Sequence, residues 1–298
     1  MQGQTVVITG ASSGFGRGTA LRLAEQGANL VLAARRKDLL EQIADDYPNA
    51  LAVHVDVADG NDVDKLAAAA IARFNHIDVW FNNAGVAALG AFEDIPREDH
   101  ERVIRTNLIG AINGSHAAMR QFRRQRSGNL INMASILEQT PAPYYASYCA
   151  SKYGIVGLSA ALRQELRAQG ETGIHVSTIL PMAADTTFFD HAANYTGHTL
   201  QPFPITDASE VIEAILATMA EPQDEVVVGL PAQAAGLAEQ FLPWLTHAVN
   251  GEMVHQIQIE SAPPAPRTEG NLHHPVMPGR GVDGNVRARM ADERARPS

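Results

Sequence analysis

Tyr148 and Lys152 stand four residues apart in a segment with helical spacing, so their side chains share one helix face. A free tyrosine has a pKa of about 10 and is a poor base at neutral pH. A nearby ammonium group stabilises the phenolate and lowers that pKa, and a general acid/base works best when its pKa lies near the operating pH. The pair therefore indicates proton exchange with an alcohol or a carbonyl group.

A glycine-rich turn lies between the first predicted strand and the first predicted helix. Glycines there let the backbone turn sharply and let a pyrophosphate approach, while the following helix N-terminus offers free N–H groups. A strand–helix turn without a ligand would also favour glycine. The spacing predicts a dinucleotide site that includes Gly10, Ser12, Ser13, Gly14, Phe15 and Gly16.

The second predicted strand ends at Arg35-Arg36, and the first acidic residue after it is Asp38. A carboxylate at this place binds the ribose hydroxyl of NAD, whereas arginine accommodates the 2′-phosphate of NADP. The alternative is that both arginines are solvated at the start of a helix. We expect NADP(H) to be preferred over NAD(H).

These residues require a scaffold in which strands and helices alternate. The predicted strands are continuously apolar, as in Val6-Val7-Ile8, which is typical of strands buried on both faces. The alternation predicts an α/β fold with a doubly wound, mostly parallel, seven-stranded sheet of the Rossmann type in one domain, residues 1–261. The predicted strands span residues 5–9, 29–33, 51–55, 78–82, 129–134, 175–180 and 225–229.

Taken in order, these motifs resemble those of the short-chain dehydrogenase/reductase family, in its single-domain branch with TGxxxGxG and YxxxK motifs. The resemblance covers about residues 4–230. It also rests on Asp56-Val57, Asn82-Asn83-Ala84-Gly85, Asn107, Ser135 and the segment 181–186.

The resemblance implies an oxidoreductase that moves a hydride between a nicotinamide and a ketone or secondary alcohol. It implies that Tyr148 exchanges the proton and that Ser135 hydrogen-bonds the substrate oxygen. Lys152 would bind the nicotinamide ribose and lower the pKa of Tyr148, and Asn107 would hold a water linked to Lys152 or kink its helix. Further implied cofactor contacts are Asp56, Val57, Asn83, Ala84, Gly85, Pro181 and Thr186.

The chain departs from the family pattern at Met182, where the family has glycine after proline. The region 185–204 corresponds to a substrate cover, and its aromatic residues suggest an apolar or ring-containing substrate. These aromatic and imidazole side chains are Phe188, Phe189, His191, Tyr195 and Phe203. Cys149, beside the predicted acid/base, is expected to be packed core.

Residues 262–298 are rich in proline, glycine and arginine and show no periodic pattern. Composition predicts a flexible or surface-docked tail whose deletion would leave fold and cofactor affinity nearly unchanged. The apolar stripe within residues 233–249 is more typical of a packed or interfacial helix than of a membrane anchor.

With 45% hydrophobic and 19% charged residues the chain of 298 residues is typical of a globular protein. Its formal charge of −10 argues against nucleic acid as a partner, and the apolar runs are too short to span a membrane. We expect a cytoplasmic homo-dimer or homo-tetramer with a small-molecule carbonyl or alcohol substrate and no metal site. The alternatives are a non-enzymatic nucleotide-binding scaffold and a dehydratase or epimerase on the same fold.

Overall fold

The structure, a computed structural model, describes residues 1–138, 140–229, 250–276, 279 and 281–295. Its main sheet has seven strands: β1 (Thr5–Thr9), β2 (Asn29–Ala34), β3 (Ala50–His54), β4 (Val79–Asn82), β6 (Gly128–Met133), β7 (Ile174–Pro181) and β9 (Glu225–Val228). They lie in the order β3-β2-β1-β4-β6-β7-β9, and every neighbouring pair is parallel. The predicted doubly wound fold is confirmed.

Helices cover both faces of this sheet, which explains why the strands are apolar throughout. Two separate groups of buried apolar side chains form, one on each face. The helices are α1 (Gly14–Glu25), α2 (Lys37–Asp46), α3 (Gly60–Phe74), α4 (Arg97–Ile104), α5 (Gly110–Gln125), α6 (Ala146–Ala168), α7 (Phe188–His191), α8 (Ala208–Ala220) and α9 (Val286–Ala295). Residues 250–255 are also helical and continue into a π-helical turn, Gln256–Glu260. In the described part of the chain, no helix has the length and apolarity needed to cross a membrane.

A second, two-stranded parallel sheet was not predicted from the sequence. Its strands are β5 (Ala88–Leu89) and β8 (Ala193–Asn194). Each contributes two residues, too few to show an alternating pattern. This small sheet fixes the segment 185–204 to the body of the domain.

The sequence predicted two helices over residues 97–107 and 109–124, whereas the structure joins them through a π-helical turn, Arg105–Ile109. Asn107 lies in this turn and is buried. Its Oδ1 accepts from the Val86 N–H at 2.8 Å, and its Nδ2 donates to Val86 O at 3.0 Å and Ser151 Oγ at 3.0 Å. The widened turn thereby ties the α4–α5 helix pair to the loop after β4 and to α6.

A buried polar network joins the centre of the sheet to the helices beside it. Trp80 Nε1 donates to Asn82 Oδ1 at 2.8 Å, and Asn82 Nδ2 donates to Asn132 Oδ1 at 2.8 Å. Asn132 Nδ2 in turn donates to Ser159 Oγ at 2.9 Å. Gly114 on α5 packs so closely that a Cβ there would overlap Asn82 Oδ1 and lie 2.8 Å from Trp80 Nε1.

We therefore expect Gly114→Ala to lower the free energy of unfolding by about 1–3 kcal/mol, because the added methyl forces this network apart. Gly157→Ala is the control, since Gly157 lies on α6 with nothing within 4 Å of a Cβ. It should raise stability by about 0.5–1 kcal/mol through helix propensity. Urea unfolding of both variants measures the difference, and equal effects would show that the network tolerates the methyl.

Beyond the sheet, described residues of the segment 262–295 lie against the domain, and Leu272 and Val286 are fully buried. Residues 233–249, with their predicted apolar helix, lie outside the described residues. The boundary at residue 261 stays a prediction.

Candidate active site

The glycine-rich loop meets the loop after β4 without room for side chains. A Cβ on Gly10, whose φ is +69°, would lie 2.8 Å from Ala84 Cα, and a Cβ on Gly16 would overlap Gly10 O. Asn83 Nδ2 donates to Thr9 O at 3.0 Å and to Gly10 O at 3.3 Å. The two loops form one rigid cradle at the carboxyl ends of β1 and β4, where the order of the sheet reverses.

Three guanidinium groups and one carboxylate meet beside this cradle. Arg36 donates to Ser12 Oγ at 3.1 Å and Ser13 Oγ at 2.8 Å, so it lies over the glycine-rich loop. Arg102 pairs with Asp56 at 2.6 Å. Burial and the charge of Arg102 lower the pKa of Arg35. Burial opposes ionisation of Asp56, yet hydrogen bonds from Arg102 and the Ala58 N–H hold its pKa below the usual value.

Ser135, Tyr148 and Lys152 come together at the carboxyl end of β6. Ser135 follows that strand and hydrogen-bonds the Tyr148 side chain. Tyr148 lies in the first turn of α6 and Lys152 one turn later. Lys152 Nζ lies 5.4 Å from the centroid of the Tyr148 ring and donates to Met133 O at 2.8 Å. The arrangement brings a hydroxyl pair and an amine into one buried pocket.

Burial dominates the electrostatics of this pocket. Burial raises the pKa of Tyr148, and the hydrogen bond from Ser135 offsets part of that rise by lowering it. Burial also lowers the pKa of Lys152 to about 7. The sequence led us to expect a lysine that lowers the tyrosine pKa. Here both side chains are desolvated, so each favours its neutral form. Burial also raises the pKa of the Cys149 thiol, which is packed as predicted.

One cavity of about 600 Å³ joins the cradle to this pocket. Among the site residues predicted from the sequence, Gly16 and Asn107 do not line this cavity. The predicted residues in the lining are Gly10, Ser12, Ser13, Gly14, Phe15, Arg35, Arg36, Asp56, Val57, Asn83, Ala84, Gly85, Ser135, Tyr148, Lys152, Pro181 and Thr186. Met182 also lines the cavity, and its N–H donates to Val228 O at 3.2 Å, which continues the pairing of β7 with β9.

The segment 185–204 closes one side of the cavity. Phe188 packs on the Tyr148 ring with centroids 5.7 Å apart, and Phe189, His191 and Phe203 join it in the lining. Tyr195, expected from the sequence to belong to this cover, is instead buried beside the small sheet, where its hydroxyl donates to Asp99. A buried phenol needs a polar partner, and Asp99 provides it.

The lining contains unsatisfied polar atoms. The side-chain oxygens of Thr106, Thr140, Thr187 and Asn271 are buried and have no hydrogen-bond partner among the described residues. Buried polar atoms are rarely left unpaired, so they indicate a ligand with its own polar groups. Together with the cradle, they fit a dinucleotide. Asn271 was not predicted, because it lies in a tail without periodicity.

Comparison with known proteins identifies the family. A family model described as short chain dehydrogenase matches residues 4–195. The chain belongs to the short-chain dehydrogenase/reductase family. As a member of this family it is an oxidoreductase, an enzyme acting on CH–OH and C=O groups.

Three relatives show how far the similarity of this short-chain dehydrogenase extends. The uncharacterized oxidoreductase YxnA of Bacillus subtilis is 31% identical over 280 residues, 92% of this chain and 78% of that protein. The 3beta-hydroxysteroid dehydrogenase 1 of Eggerthella lenta is 33% identical over 240 residues, 77% of this chain and 91% of that protein. A short-chain dehydrogenase from Burkholderia phymatum, crystallised with NAD, superposes with a TM-score of 0.73 at 25% identity, covering 83% of this chain and 96% of that one.

The buried amine predicts how stability depends on pH. The folded pKa of Lys152 is about 7, below the unfolded value, so between the two the unfolded state binds more protons. The free energy of unfolding should therefore rise from pH 7.5 to pH 9.5, by on the order of 1 kcal/mol per pH unit from this group. Lys152→Met should lose that increase. Urea unfolding of both proteins at the two pH values tests this, and parallel pH profiles would contradict it.

Proposed function

We propose that the enzyme is an NADP(H)-dependent reductase or dehydrogenase of a ketone/secondary alcohol pair, with Tyr148 as its general acid/base. The observation that carries the proposal is the single cavity shared by the glycine cradle and the group formed by Ser135, Tyr148 and Lys152. A dinucleotide lying in the cradle has this group within the same enclosed space.

In this proposal the bound nicotinamide supplies or accepts the hydride. Reduction of a carbonyl develops negative charge on its oxygen, which hydrogen bonds from Ser135 and Tyr148 stabilise where it forms. Tyr148 then gives up its hydroxyl proton to that oxygen, and takes one back in the oxidation direction. Lys152, with a pKa of about 7, can carry a proton at neutral pH and return it to the phenolate.

The aromatic lining supports an apolar, ring-bearing substrate. Tyr145 and Phe188 pack against the Tyr148 ring, and Phe189 and Phe203 extend the same wall. Among the relatives, 3beta-hydroxysteroid dehydrogenase 1 is named for a substrate of this kind. The aromatic lining and the similarity to this relative together favour a rigid, hydrophobic alcohol or ketone as the substrate over a short, charged one.

The guanidinium groups support NADP(H) over NAD(H). Arg36 lies on Ser12 and Ser13 of the cradle, and no residue from Ala34 to Arg36 is acidic. Arg35, Arg36 and Arg102 carry three positive charges against one on Asp56, which leaves an excess that suits a phosphate. The Burkholderia phymatum protein holds NAD, so the preference of this chain depends on its own residues.

Replacing the acid/base tests the chemistry. We expect Tyr148→Phe to lower kcat by about 10²–10⁴-fold, because the proton donor is lost while the ring keeps its packing. The Kd for NADPH, measured by fluorescence titration, should stay close to that of the wild-type enzyme. Tyr145→Phe, which also lines the cavity, is the matched control and should retain turnover. Near-normal turnover of Tyr148→Phe would rule out this proton donor.

Replacing Arg36 tests the cofactor preference. We expect Arg36→Gln to raise the Kd for NADPH by about tenfold or more, since one charge-assisted hydrogen bond is worth about 1.5–3 kcal/mol. The Kd for NADH should change much less than that for NADPH, because NADH has no 2′-phosphate, so the ratio of the two Kd values is the readout. Arg22→Gln, on the outer face of α1 and half exposed, is the control. An unchanged ratio of the two Kd values would place the 2′-phosphate elsewhere.

A further inference from the structure

The described residues of the segment 262–295, called the strap below, run along the outer edge of the segment 185–204. Thr268 pairs with Asn194 through two backbone hydrogen bonds of 2.7 and 2.9 Å. Leu272 inserts into the buried cluster beside the small sheet. His273 Nε2 lies 2.7 Å from the carboxylate of Asp99, itself buried. The strap is therefore built into the domain at this point.

From there the strap passes over the arginine group. Arg35 donates to Leu272 O at 2.9 Å and also to Asn271 O, and Arg102 donates to the same Leu272 O at 2.9 Å. Arg36 reaches Val276 O at 3.4 Å and Gly279 O at 3.3 Å. All three guanidiniums thus contact neutral backbone carbonyls of the strap.

The strap then crosses the glycine cradle and returns to the segment 185–204. The Gly14 N–H, at the start of α1, donates to Gly281 O at 3.0 Å. Asp185 accepts from the N–H groups of Val286 at 2.8 Å and Arg287 at 3.2 Å, which caps α9. The cavity is therefore bounded by the domain on one side and by the strap on the other.

The strap leaves the cavity open inside. Asn271 and Pro275 line it together with Ser12 and Asp56, so space remains between strap and cradle. The side-chain oxygen of Asn271 is buried and without a partner among the described residues. Asn271 therefore has hydrogen-bonding capacity that neither the strap nor the described part of the domain uses.

We propose that the strap is the outer wall of the dinucleotide site: Asn271 contacts the adenosine end of the bound dinucleotide, and the strap detaches before the dinucleotide enters or leaves. This inference rests on the proposed function only in taking the cavity as a dinucleotide site. It reverses the expectation, drawn from composition, that the tail has no effect on cofactor affinity. Exchange of the dinucleotide is then limited by release of the strap from Arg35, Arg36 and Gly14.

Rapid-mixing fluorescence with NADPH and with NADH tests the inference on the full-length protein. Leu272→Ala loosens the strap at its buried side chain, in the cluster against which Tyr148 packs. Asn271→Ala removes the proposed contact while leaving the backbone anchors and that cluster intact. His274→Ala is the control, because His274 is an exposed strap residue. Trypsin cleavage at Arg267, which is 57% exposed, reports whether the strap is docked, and thermal melting reports folding.

For Leu272→Ala we expect the dissociation rate to rise by about tenfold, with a smaller rise in the association rate, so that Kd increases. Asn271→Ala should raise the dissociation rate with an unchanged association rate. If trypsin shows that the strap of Leu272→Ala is released while the association and dissociation rates of the dinucleotide are unaltered, the proposal is overturned. A lower Kd at a constant dissociation rate would overturn it too, because that result indicates a strap that blocks the site. If Leu272→Ala fails to fold, Asn271→Ala decides alone. Equal affinity for NADPH and NADH would count against the NADP preference while leaving the strap inference standing.

Discussion

The site depends on the contact between the glycine-rich loop and the loop after β4. Thr9 Oγ1 accepts the N–H groups of Asn83 and Ala84 at 3.0 and 3.1 Å, and Asn83 returns its amide to Thr9 O. This contact is possible because Gly10 and Gly16 bring backbone against backbone. It fixes the ends of β1 and β4 at the point where the winding of the sheet reverses, and the cavity opens there.

Desolvation is the second constraint, and it connects the fold to the chemistry. The buried amine of Lys152 donates to Met133 O, and this burial lowers its pKa to about 7. The same burial pushes the pKa of Tyr148 upward. A tyrosine held protonated is prepared to donate its proton, which suits the carbonyl-reduction direction. A positive charge delivered into the pocket would favour the phenolate, the form that oxidation requires.

Much of this architecture could be predicted from the sequence, because buried parallel strands and amphipathic helices leave periodic patterns. Helix α6 was predicted with the bounds observed, Ala146–Ala168. The π-helical turn around Asn107 could not be, since it depends on a side chain bonding to Val86 in a distant loop. Tyr195 was misplaced for a similar reason: its partner Asp99 lies 96 positions earlier in the chain. Long-range polar pairs leave no local signal.

The strap shows the same limit more strongly, because its anchoring uses backbone carbonyls that any sequence possesses. The need for glycine at position 270 depends on a contact that is distant in the sequence, because a Cβ on Gly270 would collide with the backbone of His191 and Ala192. Arg35 and Arg36 were predicted as cofactor contacts, but Arg102 was not, and nothing in the sequence indicated that these arginines also bind the strap. Neutral carbonyls hold a guanidinium less firmly than a phosphate does. Under the proposed NADP(H) preference, an arginine that binds the strap carbonyls would therefore leave them for the phosphate of the arriving cofactor.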